Sequence, residues 1–216
     1  MISLLLATTR QFLLSQTKAL SRSFVFVGFL SLSFVPSAQA GSDYGEFAEN
    51  LPQNAASLTV AGGCFWCIEK DFELLDSVYE AVSGFAGGNK QDPTYKAHTG
   101  HREVVRIYYD PEKVNFTELI DHFYRHVDYT DNGGQFCDRG HAYSPAIHVQ
   151  NEEQRQIAID RAPKGSVIPI EDEARFWPAE QYHQDYYLKN PLRYKFYRYS
   201  CGRDQRVASL NADRDN

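Results

Sequence analysis

The chain has 216 residues, of which 43% are hydrophobic and 14% aromatic, and it carries a formal charge of −6. This composition predicts a globular protein with a sizeable core and excludes a disordered chain. The negative charge argues against a nucleic-acid-binding protein, because such proteins contact phosphates with cationic side chains. The sequence shows no repeat, low-complexity tract or Pro-rich linker, which predicts one folded domain after the N-terminal segment.

Residues 1–40 have the composition of a secretory signal peptide. They contain three cations and no acidic residue, followed by an apolar run over residues 24–35. The run is short for a membrane span and leads to Ala38-Gln39-Ala40, a small-x-small cleavage pattern. We therefore expect cleavage after Ala40 and a mature protein that is periplasmic or secreted, without membrane attachment. An uncleaved anchor and an organelle transit peptide are the alternatives.

The first elements of the mature chain are a strand, a glycine break and a helix. Residues 41–55 are predicted to be a flexible lead, and the alternation over residues 57–60 indicates a half-buried strand. After the break, Phe65, Ile68 and Phe72 recur at helical spacing. Cys64 therefore begins a helix directly after a strand. The unpaired N–H groups and the dipole of a helix start favour an anion, so we expect a lowered pKa for the Cys64 thiol.

Two further strands and a helix follow. Residues 78–85 are a predicted strand and residues 92–100 a loop. In the next strand Glu103 shares one face with Val105, Ile107 and Tyr109, so it lies at the end of a buried face, where desolvation raises the pKa of a carboxyl. The helix after it has a predicted capping box, formed by Asn115 and Glu118.

The C-terminal part continues the alternation of strands and helices. We expect a loop over 133–143, a strand over 146–150, a helix over 152–162, a strand over 167–170, a helix over 179–188 and then a Tyr-rich tail. Alternating elements with short links predict an α+β fold, in which helices pack over a mixed central sheet. We assign the catalytic domain to residues 56–204 and a C-terminal tail to residues 205–216.

All four cysteines follow the leader, at Cys64, Cys67, Cys137 and Cys201. An even number in an exported chain is typical of structural disulfides. Cys64 and Cys67, however, form a C-x-x-C pair at a strand-to-helix junction, which favours redox chemistry. A zinc site needs about four ligands, and the other two cysteines do not form a second C-x-x-C, so we expect no metal.

Four motifs occur in one order along the chain. They are Gly63-Cys64-Phe65-Trp66, the segment 93–111, the segment 138–147 and the segment 184–191. Together they resemble the A-type peptide methionine sulfoxide reductases, over nearly the whole mature chain. One short motif is weak support, whereas four in the same order are highly specific. The expected fold is a single α+β domain, a ferredoxin-like two-layer sandwich.

The resemblance implies which residues react. Cys64 is similar to the nucleophile that attacks the sulfoxide sulfur and becomes a sulfenic acid. Glu103 resembles the acid that protonates the sulfoxide oxygen, and Tyr95 and Tyr143 resemble the phenols that hydrogen-bond this oxygen. The implied substrate is the S epimer of methionine sulfoxide, free or in oxidised proteins that are thereby repaired. The implied reductant is a thioredoxin-like or other dithiol, and no cofactor is implied.

The resemblance also implies substrate-binding residues. Phe65 and Trp66 are similar to the walls that hold the terminal methyl group of the substrate, and Asp138 resembles a polar residue that organises the site. Phe65 also matches the core stripe of the predicted helix, whereas Trp66 does not fit that stripe.

The cysteine that resolves the sulfenic acid is left open. Cys67 stands where many members of the family have Gly, and it lies one helical turn from Cys64. Cys201 requires a mobile tail, and Cys137 adjoins Asp138. The expected order of preference is Cys67, then Cys201, then Cys137.

Two other functions fit the cysteines less completely. A general thiol–disulfide oxidoreductase explains export and the C-x-x-C pair, but it does not need Glu103, Tyr95, Asp138 or Tyr143. A disulfide-stapled binding domain would use bridges between Cys64 and Cys67 or between Cys137 and Cys201. Turnover of methionine sulfoxide with dithiothreitol separates these functions from sulfoxide reduction.

Overall fold

The computed structural model describes residues 50–214, so the predicted leader and most of the predicted flexible lead lie outside the described residues. The strands in this range are β1 Ala56–Ala61, β2 Val78–Ala86, β3 Arg102–Tyr109, β4 Gly134–Gln135, β5 Asp138–Arg139, β6 Ala146–Val149, β7 Ile170–Asp172 and β8 Trp177–Pro178. The helices are α1 Phe65–Glu73, α2 Phe116–Tyr124, α3 Glu152–Asp160, α4 Tyr186–Lys189, α5 Pro191–Ser200 and α6 Arg203–Arg214. A 3₁₀ turn spans His141–Tyr143.

Six strands form one mixed sheet in the order β7-β6-β1-β3-β2-β8. Neighbouring strands are antiparallel, except that β6 and β7 are parallel. The four middle strands, with α1 after β1 and α2 after β3, have the topology of a ferredoxin-like sandwich. The predicted single-domain α+β fold is therefore confirmed.

The core lies between this sheet and the helices. Along β1 and β3, Val60 is opposite Val105 and Leu58 is opposite Ile107, and all four side chains are buried. They belong to one apolar cluster with the inner residues of α1 and α2, which are Phe65, Ile68, Phe72, Leu119, Ile120 and Phe123. Burying each such side chain contributes about 1.5–3 kcal/mol, so packing against the sheet stabilises these nine-residue helices.

The two core helices begin in different ways. Asn115 accepts the backbone N–H of Glu118, and the Glu118 side chain accepts the backbone N–H of Asn115. This is the predicted capping box, and it satisfies two donors locally. Helix α1 has Cys64 at its N-cap, which supplies no side-chain cap. Its first N–H therefore needs an acceptor from elsewhere in the fold.

The helix predicted over residues 179–188 is wrong. The helix there is only α4, which begins at Tyr186 after Asp185 in a left-handed conformation with φ of 53°. The buried Gln184 side chain accepts the N–H of Ser83 and donates to the carbonyls of Ser83 and Ala179. These bonds hold the segment beside β2.

Other boundaries also differ from the predictions. The strand expected over residues 167–170 is β7, which begins at Ile170, and the loop expected over residues 133–143 contains the β4–β5 hairpin. Most of the segment assigned as a tail forms α6, whose Leu210 is buried. Among residues 50–214, no helix is long and apolar enough to cross a membrane.

Candidate active site

The turn between β1 and α1 sets the position of Cys64. Gly63 has φ of +84°, a conformation that favours glycine, and a Cβ atom there would lie 2.6 Å from Cβ of Gln135. Gln135 is itself fixed, since its side-chain oxygen accepts the N–H of Asp128 at 2.8 Å. The turn is therefore tightly packed, and it places Cys64 at the N-cap of α1.

Glu103 supplies the acceptor that α1 needs. Its Oε2 accepts the backbone N–H of Phe65 at 3.1 Å, which brings the carboxyl from β3 to the residue next to Cys64. Only 1% of Glu103 is exposed. Burial raises the pKa of Glu103 to about 8, although the Phe65 hydrogen bond partly opposes the shift. The predicted elevation is confirmed, and the group is mainly protonated at neutral pH.

The two thiols of the C-x-x-C pair are free, buried and interdependent. Burial raises the pKa of Cys64 well above its ordinary value, and Cys67 and Glu103 raise it further. A hydrogen bond from the Cys64 thiol, followed by Arg203 and Arg198, lowers the pKa of Cys67 to about 7. The expected lowering at Cys64 is therefore wrong, because burial outweighs the helix start. Of the two thiols, Cys67 is therefore the one that ionises more readily.

Tyr95 and Tyr143 lie at the same centre as Glu103 and Cys64. Both phenols are half-buried, and burial raises their pKa values, with the charges of Glu103 and Cys64 adding to the effect. The backbone N–H of Tyr95 donates to both carboxylate oxygens of Glu180 at 3.2 Å, which fixes its loop. The two phenols therefore remain neutral hydrogen-bond donors at physiological pH.

Asp138 has a partner that the sequence did not reveal. It begins β5, and its Oδ2 accepts the hydroxyl of Tyr197 from α5. Burial raises the pKa of Asp138, with the Tyr197 hydrogen bond opposing the shift. The hydroxyl of Tyr197 also lowers the pKa of the Cys64 thiol and partly offsets its burial. The Tyr-rich composition near the C-terminus was the available signal, but spacing does not show which Tyr reaches the site.

The indole of Trp66 is held between aromatic rings. It stacks on Tyr186 with ring centres 3.8 Å apart, and its Nε1 donates to Nδ1 of His183 at 3.1 Å. Burial lowers the pKa of His183 to about 4, so this imidazole is neutral and can accept the bond. Phe65 is 1% exposed, and its ring centre lies 6.4 Å from that of Tyr95. Trp66 is half-buried, as its mismatch with the core stripe suggested.

Cys137 and Cys201 form a disulfide, with their Cα atoms 4.9 Å apart. The bond ties the end of α5 to the residue before Asp138, and a carboxylate oxygen of Asp138 lies within 4.8 Å of both sulfur atoms. Resolution by Cys201 would require a mobile tail, but α5 and α6 flank this residue in helical structure. The disulfide joins the two segments that supply Asp138 and Tyr197.

Two groups of potential metal ligands occur in the described part of the chain. The first consists of the two disulfide-bonded cysteines and Asp138. The second consists of Glu69, Glu73 and Asp185. Glu69 already accepts hydrogen bonds from the Ser83 hydroxyl and the Asp185 N–H. Burial raises the pKa of Glu69 to about 8, so at neutral pH this side chain is mainly a neutral carboxylic acid that makes structural hydrogen bonds.

Comparisons with known proteins agree on one family. Residues 56–215 match the family model for peptide methionine sulfoxide reductase. The chain is 48% identical over 176 residues to peptide methionine sulfoxide reductase MsrA 2 of Rhizobium meliloti, covering 76% of this chain and 89% of that protein.

Two solved structures are similar to the fold. Reduced Mxr1 from Saccharomyces cerevisiae has 28% identity and a TM-score of 0.60, covering 65% of this chain and 88% of that one. Methionine sulfoxide reductase A of Corynebacterium diphtheriae has 30% identity and a TM-score of 0.59, covering 65% and 77%.

The chain belongs to the peptide methionine sulfoxide reductase family, A type. It is an oxidoreductase that acts on sulfur and reduces methionine sulfoxide. Membership explains why Glu103, Tyr95, Tyr143 and Asp138 meet at Cys64, which a general thiol–disulfide oxidoreductase would not require. It equally decides against a non-enzymatic binding domain, although the Cys137–Cys201 bridge of that alternative is present.

Proposed function

We propose that Cys64 attacks the sulfur of methionine S-sulfoxide while Glu103 protonates the sulfoxide oxygen. The observation that carries this assignment is the buried Glu103 carboxyl, which is hydrogen-bonded to the residue beside Cys64 and has a pKa of about 8. An acid with a pKa near the working pH is an efficient proton donor. Substrate binding has to generate the Cys64 thiolate, because burial raises the pKa of this thiol.

The reductive step needs only these groups and the substrate. The proton of Cys64 passes to Cys67, and the Cys64 thiolate bonds to the sulfoxide sulfur. Protonation by Glu103 and the neutral phenols of Tyr95 and Tyr143 stabilise the developing charge on the oxygen. The S–O bond and the bond between Cys64 and the substrate sulfur then break as the oxygen passes, as a hydroxyl group, to the sulfur of Cys64. Methionine leaves, reduced by two electrons, and Cys64 becomes a sulfenic acid.

Cys67 is the proposed resolving cysteine. It is free and lies one turn from Cys64, whereas Cys137 and Cys201 are already bonded to each other. Its sulfur attacks the sulfur of the sulfenic acid, the S–O bond breaks, and one water leaves with the thiol proton. The product is a Cys64–Cys67 disulfide, which an external dithiol reduces by thiol–disulfide exchange. We assign this step to a thioredoxin-like protein, because the family chemistry needs a dithiol donor.

Substrate binding is assigned to the aromatic side of the site. Trp66 presents a half-buried indole that Tyr186 and His183 hold in one orientation, and Phe65 supports the site from the core. A rigid apolar wall is suited to a methyl group, since it contributes burial without loss of rotamer freedom. Asp138, oriented by Tyr197, supplies a polar contact on the α5 side of the centre.

A single turnover without reductant tests these roles. Wild type should release one equivalent of methionine from the S epimer and form the Cys64–Cys67 disulfide. Cys64→Ser should release none, whereas Cys67→Ser should still release one equivalent, more slowly, and retain the sulfenic acid. Mass mapping of the first disulfide completes the test. Methionine from Cys64→Ser, or a first bond between Cys64 and Cys201, would contradict the assignments.

We also propose that the enzyme is exported and repairs oxidised proteins in the periplasm or outside the cell. The support is the leader itself, with cations before an apolar run and Ala38-Gln39-Ala40 after it. An oxidising compartment also suits the Cys137–Cys201 disulfide, because cytosolic thiols are kept reduced.

A further inference from the structure

A cluster of buried charges lies below the C-x-x-C pair. The carboxylate of Asp71 on α1 is 2.8 Å from Nη1 of Arg198 and 3.8 Å from Nε of Arg203. The side chains of Asp71 and Arg203 are only 3% and 2% exposed, and that of Arg198 is 11% exposed. Burying such ions costs desolvation free energy, which is offset only where opposite charges are matched at close range.

Each arginine is fixed by further contacts. Arg203 donates to the backbone carbonyls of Gly62 and His126 at 3.2 and 2.8 Å, so it holds the turn that leads to Cys64. Arg198 donates to the hydroxyl of Tyr194 at 2.9 Å and pairs with Asp204. Asp204 is 66% exposed, so solvent screens its charge. The buried part of the cluster thus has two cations and one anion.

Two groups can balance the remaining positive charge, Cys67 and Asp138, since Arg203 lowers the pKa of each. Asp138 already accepts the hydroxyl of Tyr197. Cys67 precedes Asp71 by one helical turn, is buried, and lies in the same apolar cluster as Tyr194, the hydrogen-bond partner of Arg198. The titratable and charged groups around it come from five elements and are Cys64, Asp71, Glu103, Asp138, Tyr194, Tyr197, Arg198 and Arg203. Near neutral pH only the two arginines in this set are cationic.

We propose that Arg198 and Arg203 are positioning residues that hold Cys67 as the thiolate of the reduced enzyme. The inference rests on the proposed role of Cys67. Helices α5 and α6 thereby complete the redox centre, although neither arginine touches the substrate. The Cys67 thiolate is the base that accepts the proton of Cys64. After methionine leaves, the same cations favour the loss of this proton from Cys67, which restores its thiolate. The pair then loses two electrons to the sulfoxide, and one water is released.

The experiment follows alkylation of Cys67 by iodoacetamide against pH in the full reduced protein, with site mapping by mass spectrometry. Wild type should show an inflection near pH 7. Arg198→Met and Arg203→Met should move it upwards, and each unit lowers the alkylation rate at pH 6 by about tenfold. Asp71→Asn should move it downwards, because the Asp71 charge opposes the thiolate.

The opposite directions of the expected shifts in the Cys67 inflection distinguish an electrostatic effect from damage to the fold. If the cluster were purely structural, all three substitutions would shift the inflection in the same direction. Arg203→Lys keeps the charge and should restore the inflection to within a few tenths of a unit. Arg206→Met is the matched control, because Arg206 lies on the same helix and pairs instead with Asp128 at 2.6 Å. It should leave the Cys67 profile unchanged. If Arg203→Met does not fold, Arg198→Met and Asp71→Asn decide the outcome.

An unchanged inflection in the methionine variants, or a shift of the same sign in Asp71→Asn, would overturn the inference. The methionine burst of wild type keeps this result separate from the proposed function. A missing burst refutes the proposed function, whereas a normal burst with an unmoved Cys67 profile refutes only the role of the arginines.

Discussion

Replacing Glu103 by Gln separates the chemical role of this carboxyl from its cost to stability. The substitution keeps an oxygen that can accept the Phe65 N–H, but it removes the transferable proton. Loss of a general acid should slow methionine release in a single turnover by about 10²–10⁴-fold at pH 6. In wild type the same rate should fall as the pH rises through 8, where Glu103 loses its proton.

The free energy of unfolding of Glu103→Gln should be higher than that of wild type, although its rate of methionine release is lower. The pKa of Glu103 is about 8 in the fold and 4.5 when the carboxyl is unperturbed, so the unfolded chain releases the proton first. Glu103 therefore lowers stability progressively as the pH rises from about 4.5 to about 8. At 1.36 kcal/mol per unit, Glu103→Gln should be more stable than wild type by about 2 kcal/mol at pH 6 and about 5 kcal/mol at pH 9. Near pH 4 the two should be equal.

Urea denaturation at pH 4, 6 and 9 measures the stability difference, and quenched-flow detection of methionine measures the rate. Glu69→Gln is the matched control, because burial raises the pKa of Glu69 to about 8 as well and its hydrogen bonds go to Ser83 and Asp185. It should show a similar pH-dependent gain in stability but keep the rate within about tenfold. A Glu103→Gln rate within a few-fold of wild type, or a stability difference that does not grow with pH, would refute the reasoning.

Three further predictions concern the disulfide, the site and the leader. Cys201→Ser should lower the free energy of unfolding of the oxidised protein by about 4 kcal/mol, given the separation of 64 residues; denaturation with and without reductant checks this, and equal stabilities would contradict it. Tyr197→Phe should raise the pKa of Cys64, seen as an upward shift in its alkylation profile, because the Tyr197 hydroxyl lowers this pKa; an unmoved profile would argue against that effect. N-terminal sequencing from the native host should find Gly41 first, and a cytosolic protein starting at Met1 would overturn export.

Local patterns in the sequence determined much of the fold and part of the site. The alternation along β3 placed Glu103 at the end of a buried face, and burial raises its pKa as expected. The Asn115 capping box forms as predicted, since both partners lie within one helical turn. Four ordered motifs likewise identified the family that the comparisons show. Each of these features depends on residues that are close in sequence or on a contiguous motif.

Only the tertiary structure decided how the thiols behave. The helix start by itself predicts an acidic Cys64, but burial and the neighbouring groups raise the pKa of Cys64, whereas that of Cys67 is lowered. Burial and the contact between the two thiols come first among the causes, and Arg203 and Arg198, which lower the pKa of Cys67 further, lie more than 130 residues along the chain. Likewise, the helices of the tail pack on the domain, since α5 buries Tyr194, α6 buries Arg203 and Leu210, and Cys201 between them forms a disulfide. Burial and charge–charge distances depend on which remote segments meet, and no local period encodes that.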